Sequence, residues 1–380
     1  SNYTIIDYII KHDVKYFNKF IDKINYKKIV ENKKWPHKFL AISFNNQKVL
    51  ERLFELNNDV NIKKNNLFSL INYSIVMKRT KTSIYLLNQN YKVFGLDRRT
   101  ASNNFWRLEA LGIKDQVIRL QVDLTEYSSI RDIISSHNFN EIYNLAAQSF
   151  VASSWDNPIT TSNINSIAVT NLLDTIYRFS PKTKFYQAST SEMFGNAKIK
   201  KQNELTPFNP RSPYGVSKLY AHWMTKNYRE SYGLFAACGI LFNHESPLRG
   251  EEFVTKKIIS QLVEIKKGST KTLKLGNLYA KRDWGFAGDY VEAMFKILQH
   301  NQPDDFVIGT GKSYSIKEFI NLCLDQLKIE YKWKGSKLNE VCLEKNSKSK
   351  IIAIDPSLYR PAEVDTLTAD AIKAKKVLGW

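Results

Sequence analysis

Between Ala188 and Lys218 the sequence gathers side chains that can move protons. Thr190, Ser191 and Glu192 form one hydroxyl–hydroxyl–acid run, and Tyr214 and Lys218 follow, four residues apart. If Tyr214 opens a helix, the i, i+4 spacing puts Lys218 on the same face. An ammonium beside a phenol favours the phenolate, so the spacing predicts a Tyr214 pKa lowered towards neutrality and a tyrosine that serves as a base. Lys184 to Ala188 reads as a strand. Thr190 to Glu192 then falls just past its C-terminal end, where open α/β sheets gather ligands. Tyr-x-x-x-Lys alone is common on solvated helices. The bland alternative, a helix-start tyrosine with an exposed lysine, leaves the upstream run a coincidence, and we reject it.

Positioning these groups takes a sheet and its crossing helices. A turn at Asn88 to Asn90 leads to a strand ending in Arg98-Arg99, and Gln116 to Leu124 alternates as a second strand closed by Asp123. A helix at about 126–136 and a strand from Glu141 follow. Strand, helix, strand in this rhythm predicts an α/β protein with a doubly wound parallel sheet. Arg98 and Arg99 at a strand end suit a 2′-phosphate, which favours NADP over NAD. Asp97 is the opposing signal, since an acid there bonds a ribose hydroxyl. The small residues of Leu145-Ala146-Ala147-Gln148-Ser149 let the backbone pass close to a flat cofactor.

Further along, Ala221 to Tyr232 continues a helix and Ala236 to Phe242 reads as a strand. Asn243 to Gly250 is too polar for a simple loop. The helix opened by Phe253 carries Lys256 and Lys257 near its start, which opposes the helix dipole unless an anion binds there. Lys281 to Met294 leads into a helix returning to the main sheet. Arg360 and Glu363 together suit ribose and base recognition, or equally a surface salt bridge.

Composition bounds the class. The chain has 380 residues, 43% hydrophobic and 24% charged, which fits two to three soluble domains. No run approaches the roughly 18 apolar residues of a membrane span, and Lys, Asp and Asn break the apolar pieces near the start, so no signal peptide is read. Cys238, Cys323 and Cys342 show no metal-ligand spacing; no metal site is expected, and a reducing, cytoplasmic compartment is the default. The net charge of +19 comes from scattered lysines with no arginine-rich stripe. Attraction of phosphates and sugar nucleotides is therefore favoured over nucleic-acid binding.

Residues 1–68 differ from the rest. They contain no glycine and show the apolar spacing of short helices, as in Phe17, Phe20, Ile21 and Ile24. Leu40 to Ile62 resembles a degenerate ankyrin repeat. At most two units fit, fewer than the about three a solenoid needs alone. This helical extension is either a protein-binding appendage or a fragment packed against the remainder.

From about Tyr91 to Trp380 the chain resembles the GDP-mannose 4,6-dehydratases, extended short-chain dehydrogenase/reductases. The resemblance rests on Asn144-Leu-Ala-Ala-Gln-Ser-Phe-Val, Phe185-Tyr-Gln-Ala-Ser-Thr-Ser-Glu-Met-Phe-Gly and Pro210-Arg-Ser-Pro-Tyr-Gly-Val-Ser-Lys-Leu-Tyr-Ala-His-Trp. Gly239-Ile-Leu-Phe-Asn-His-Glu-Ser-Pro-Leu-Arg-Gly, Arg282-Asp-Trp-Gly-Phe-Ala-Gly-Asp-Tyr-Val-Glu and Arg360-Pro-Ala-Glu-Val-Asp continue it in the same order. It implies a Rossmann-like domain over 69–240, which also receives the helix near 285–299, and a smaller, mainly substrate-binding domain over 241–380. It further implies that Tyr214, with Lys218 and the cofactor's positive ring, takes the mannose 4-hydroxyl proton while hydride passes to NADP. Glu192 would remove the C5 proton, Glu192 or Ser191 would assist loss of the 6-hydroxyl, and Thr190 would bond the reacting oxygen. Arg98, Arg99, Asp123, Leu124, Leu145, Ala146, Ala147, Tyr214 and Lys218 would face the cofactor. Ser149, Asn243, Lys257, Arg282, Arg360 and Glu363 would hold GDP-mannose. Relatives of this kind are dimers or tetramers, and the segment to Arg107 often reaches a neighbouring subunit in tetramers.

One departure is decisive for the cofactor. Relatives begin with a strand and Thr-Gly-x-x-Gly-x-x-Gly, whose glycines let the backbone approach the pyrophosphate. Here the first glycine is Gly95, and counting back from Leu87 puts Tyr73, Val76 and Arg79 at the glycine positions. Aligned from Met77 instead, the strand and loop are missing. A Cβ at such positions predicts weakened or lost NADP binding. Val122 also replaces a glycine before Asp123-Leu124. The alternatives are an enzyme that retains NADP, or a non-catalytic binding or scaffold protein. Intact Thr190, Glu192, Tyr214 and Lys218 favour the enzyme.

Overall fold

The computed structural model describes Leu87 and residues 91–99, 105–360 and 362–380. The ankyrin-like reading of residues 1–68 and the segment that would hold the first strand and glycine-rich loop lie outside these residues. Strands β1 (Phe94–Asp97) and β2 (Ile118–Gln121) pair in parallel, with Phe94 opposite Ile118. Helix α1 (Tyr127–Ser136) leads to β3 (Glu141–Asn144), α2 (Ala168–Phe179) to β4 (Lys184–Thr190), and α3 (Pro213–Tyr232) to β5 (Ala236–Leu241). β3, β4 and β5 are parallel neighbours in that order. Among the described residues β1 pairs only with β2 and β3 only with β4, so the expected sheet is seen as two parallel blocks. The Phe94 and Phe139 rings, 5.3 Å apart edge to face, join them.

Period-two alternation explains why β4 is buried on both faces. Phe185 packs with Leu172, Leu173 and Ile176 of α2, whereas Tyr186 faces the opposite layer with Ala237. Val122 is 4% exposed and belongs to the Phe185 cluster. The ends of α3 are written in its sequence. Ser212 caps it by accepting from Gly215 N at 3.0 Å, Pro213 occupies its first turn, and Gly233 ends it at φ +69°. Such a rigid 20-residue rod fixes where Tyr214 stands.

Beyond β5 the chain builds a second layer set. It comprises β6 (Asn243–Glu245), α4 (Val254–Lys266), β7 (Leu273–Leu275), β8 (Lys281–Arg282) and β9 (Trp284–Phe286). Helix α5 (Ala287–Gln299) packs Tyr290, Met294 and Ile297 on the Tyr186 face. β10 (Asp305–Ile308) adds in parallel beside β5. After β11 (Tyr314–Ser315), helix α6 (Ile316–Gln326) opens on a capping box between Ser315 and Glu318. β12 (Tyr331–Lys334), β13 (Val341–Glu344) and β14 (Lys350–Ile354) join β7 in the order β12-β13-β14-β7. This sheet, α4 and α6 share a separate core containing Ile258, Leu262, Phe319, Ile320 and Ile352.

The tail ties both parts together. Bridges Gln202 to Ala369 and Lys281 to Thr366 bring the segment after Arg360 alongside β8. Trp380, beyond α7 (Ile372–Leu378), donates through its indole to Asp289 O at 2.7 Å. Among the described residues no helix is long and apolar enough to cross a membrane.

Candidate active site

A cavity of about 960 Å³ runs across the C-terminal ends of the parallel strands and into the second layer set. Thr190 ends β4, and Ser191 and Glu192 begin the 3-10 turn beyond it. Tyr214 and Lys218 lie one turn apart on α3, and all five side chains line the cavity. Tyr214 is 7% exposed, Glu192 9% and Lys218 3%, so their charges are little screened by water. The Thr190 hydroxyl accepts from Glu192 N at 3.3 Å and also hydrogen-bonds the Tyr214 phenol.

The expected acidification of Tyr214 by Lys218 is not what the structure shows. Burial pushes the phenol up to about 12, against the lowering influence of the Thr190 hydrogen bond and, more weakly, the charge of Arg249; the Glu192 charge raises it further. Burial also pulls the Lys218 ammonium down to about 8. Its Nζ donates to Ala188 O at 2.7 Å, so the cation is held by the strand and not by the phenol. Helical spacing gave the shared face but not the direction of a flexible side chain.

Arg98, Asp123, Leu124, Leu145, Ala146 and Ala147 line the cavity, with Asp97 among them. Arg99 is exposed and outside the lining, so only one of the two arginines reaches the cavity. Thr125 holds the Asp123 carboxylate from N at 3.0 Å and Oγ1 at 2.7 Å, and these bonds, with the charge of Arg98, lower its pKa. Ser149, Asn243, Lys257, Arg282, Arg360 and Glu363 line it too. Arg282 is 3.8 Å from Glu192 and 3.5 Å from Glu363, which Arg360 approaches at 4.0 Å. Helix α4 begins without a side-chain cap. Lys257 stands in its first turn and donates to Lys274 O at 3.0 Å.

Sequence reading missed Arg249 as an individual. It is 8% exposed, packs its guanidinium 3.5 Å over the Phe253 ring and lines the cavity. Its Nε is 3.1 Å from Glu245 Oε2, close enough to ion-pair, yet off line for a hydrogen bond and without another partner among the described residues. A buried, under-satisfied guanidinium on a cavity wall fits an anionic ligand such as a phosphate-bearing cofactor. The excess polarity of Asn243 to Gly250 was the available signal. The structure also groups His222, Cys238 and Asp305, which chain spacing did not show. Both Asp305 oxygens already accept from Arg229 at 2.9 Å, so the carboxylate is engaged.

The sequence matches the family model for GDP-mannose 4,6 dehydratase over residues 81–380. This chain belongs to the GDP-mannose 4,6-dehydratase family. A GDP-mannose 4,6-dehydratase of Vibrio cholerae is 46% identical over 314 residues, covering 78% of this chain and 84% of that one. GDP-mannose 4,6 dehydratase 2 of Caenorhabditis elegans is 45% identical over 306 residues, covering 78% and 79%. The human GDP-mannose 4,6 dehydratase is 44% identical over 304 residues, covering 78% and 82%. Among solved structures, a dTDP-glucose 4,6-dehydratase from Streptomyces venezuelae with NAD bound aligns at a TM-score of 0.66 and 20% identity, covering 79% of this chain and 87% of that one. A UDP-glucose 4-epimerase from Thermus thermophilus in complex with NAD aligns at 0.63 and 21%, covering 78% and 88%. These two establish the Rossmann-like fold of the family member.

Proposed function

We propose that the protein converts GDP-mannose to GDP-4-keto-6-deoxymannose by internal hydride transfer, with NADP as cofactor. The carrying observation is that the buried Thr190, Glu192, Tyr214 and Lys218 line one cavity together with Arg282, Arg360 and Lys257. Arg98, Asp123, Ala146, Ala147 and Arg249 would hold NADP, and Tyr214 and Lys218 would flank its ring. When bound, NADP supplies a hydride acceptor at C4, a hydride donor at C6 and a positive ring next to the phenol.

The chain's own groups do the rest. Tyr214, raised to about 12 in the protein alone, would take the 4-hydroxyl proton only after losing its own beside the positive charge a bound cofactor would supply, and Thr190, bonded to the phenol, would offer its hydroxyl to the same oxygen as a fixed dipole. The 4-ketone acidifies C5, and Glu192 takes that proton. Glu192 or Ser191 then returns a proton to the departing 6-hydroxyl. Burial excludes bulk water from these transfers.

We also read 69–240 as the cofactor domain and 241–380 as mainly the GDP-sugar domain, in a cytoplasmic enzyme. A homo-oligomer, dimer or tetramer, is supported by the apolar outer face of α3, where Val216, Tyr220 and Trp223 are 56%, 41% and 50% exposed. Residues 1–68 are read as an appendage for a protein partner.

The test incubates the full chain with GDP-mannose and NADP and follows the ketone by its absorbance in alkali and the substrate by loss of water in its mass. Turnover of GDP-mannose is expected. Turnover of a uridine or deoxythymidine sugar in its place would reassign the substrate, and no turnover with no NADP binding would leave a scaffold protein.

A further inference from the structure

Between α3 and the sheet lies a polar cluster that the dehydration chemistry does not use. Cys238 on β5 and Asp305 on β10 are register partners in the parallel pair, so their side chains stand on one face of the sheet. His222, on α3 one turn beyond Lys218, meets them there. One imidazole nitrogen, the Cys238 Sγ and one carboxylate oxygen all lie within 4.8 Å of one another. His222 and Cys238 are buried, whereas the Asp305 side chain keeps 13% of its surface, so the cluster reaches solvent through the carboxylate. Three residues so far apart in the chain show no ligand spacing in the sequence.

Imidazole, thiolate and carboxylate are the donors that zinc takes, at about 2.0–2.3 Å. A ligating imidazole is oriented through its other nitrogen, and a ligating carboxylate is itself hydrogen-bonded. Both supports are in place. His222 Nδ1 is 3.1 Å from Ser189 Oγ, and Nε2 is 3.9 Å from Asp305 Oδ2. Arg229 gives Nη1 to Oδ1 and Nη2 to Oδ2, each at 2.9 Å, and Nη1 also to Ala236 O at 3.0 Å. Each carboxylate oxygen has two lone pairs, so the fork fixes the carboxylate and leaves acceptor capacity on Oδ2.

We propose that His222 Nε2, Cys238 Sγ and Asp305 Oδ2 form a zinc site, with Ser189 and Arg229 orienting the imidazole and the carboxylate. On binding, the Cys238 S–H proton leaves to solvent and a Zn–S bond forms. Lone pairs of Nε2 and Oδ2 supply two further bonds, and nothing is oxidised or reduced. The ion selects the tautomer in which Nδ1 donates to Ser189. Thiolate and carboxylate match its two charges, while Arg229 adds one positive charge beside them and moderates the affinity. A water reaching the cluster from the Asp305 side takes the fourth position. The bound ion ties α3, the helix of Tyr214 and Lys218, to β5 and β10. None of this depends on which sugar nucleotide the protein turns over. The competing reading is a closed hydrogen-bonded knot, since Cys238 also bonds Ser189 and Asp305.

The test uses the full chain, reduced and freed of metal with a chelator. Titration with cobalt(II) is expected to give a thiolate-to-cobalt charge-transfer band in the near ultraviolet, saturating at one ion per chain and abolished by zinc. Cys238→Ser is expected to lose the band. Cys323→Ser and Cys342→Ser are expected to keep it, because both thiols lie in the separate core of the second layer set. In competition with a chromophoric chelator, His222→Gln is expected to weaken zinc binding more than about 100-fold. Ser189→Ala, which only frees the ring, is expected to weaken it about 10–100-fold. Saturating zinc is expected to raise the melting temperature of the wild type by several degrees and to leave that of Cys238→Ser unmoved. A band that survives Cys238→Ser, or zinc affinity untouched by His222→Gln, overturns the proposal. Cobalt bound without a thiolate band, or no binding at millimolar ion, overturns it too and leaves the hydrogen-bonded knot. If Cys238→Ser does not fold, His222→Gln decides alone: loss of the band supports the site, and an unchanged band overturns it.

Discussion

Lys218 Nζ donates to the carbonyl oxygen of Ala188 at 2.7 Å, two residues ahead of Thr190 on the same strand. The contact fastens α3 to β4 at the height of the reacting groups. It also separates two roles of the lysine. Its hydrogen bond is structural in the protein by itself, whereas its charge is an electrostatic resource for whatever anion develops in the cavity. Burial makes that charge costly, which is why the ammonium is pulled from 10.5 to about 8.

That cost predicts a pH signature in stability. Between about 8 and 10.5 the unfolded lysine holds its proton and the folded one releases it, so the unfolded state binds more protons and stability rises with pH. Below about 8 the full cost is present, on the order of 3 kcal/mol. Lys218→Met is expected to abolish turnover, to remove this alkaline gain, and to unfold no earlier than the wild type at neutral pH. Thermal scans across pH check all but the first. A Lys218→Met variant that keeps the gain would place its origin elsewhere.

Tyr214 starts from a phenol pushed up to about 12 by burial, so at neutral pH it is the neutral hydroxyl in the protein alone. Tyr214→Phe removes the group that takes the 4-hydroxyl proton and leaves the ring's packing intact. A fall of about 10²–10⁴ in kcat with a small change in KM is expected. Steady-state ketone formation measures it. A tenfold or smaller effect would mean another base takes that proton.

Asp283 shows how the neighbouring site residue is anchored. Its fully buried carboxylate accepts from Thr310 N at 2.9 Å, Thr310 Oγ1 at 2.6 Å, Gly311 N at 2.8 Å and Ala369 N at 3.1 Å. These bonds tie the strand carrying Arg282 to the loop after β10 and to the tail. Asp283→Ala leaves several buried donors unsatisfied and is expected to cost about 3–5 kcal/mol. Urea unfolding measures the loss, and a loss under 1 kcal/mol would show that water replaces the carboxylate.

Local signals carried much of this molecule. Lys184 to Ala188 read as a strand and the segment from Tyr214 to Tyr232 as a helix, and these are β4 and α3. The Thr190-Ser191-Glu192 run falls where a strand end should place it. What could not be read is tertiary. The Ala188 carbonyl that takes Lys218, the Arg282 that faces Glu192 and the Arg249 beneath the cavity come from distant parts of the chain, and no period links them. Arg98 and Arg99 illustrate the same limit at short range, since successive residues point apart and only one reaches the cavity.

The cofactor supplies the last prediction. On the described side of the cavity, Arg98, Asp123, the small Ala146 and Ala147, and Arg249 offer charge, an acceptor and room for a dinucleotide. The glycine-rich loop expected from relatives has Tyr73, Val76 and Arg79 at its glycine positions by direct count, and the family match begins at residue 81. A side chain where the pyrophosphate must approach backbone removes hydrogen bonds from the helix start and adds steric conflict. NADP is therefore expected to bind orders of magnitude more weakly here than to relatives bearing the loop, with turnover visible only at millimolar cofactor. A titration followed by nicotinamide fluorescence and thermal shift measures this. Replacing residues 73–80 by Thr-Gly-x-x-Gly-x-x-Gly should tighten binding and raise turnover at low NADP. Micromolar affinity in the unaltered chain would show that Arg98, Arg249 and their neighbours hold the dinucleotide without a glycine cradle.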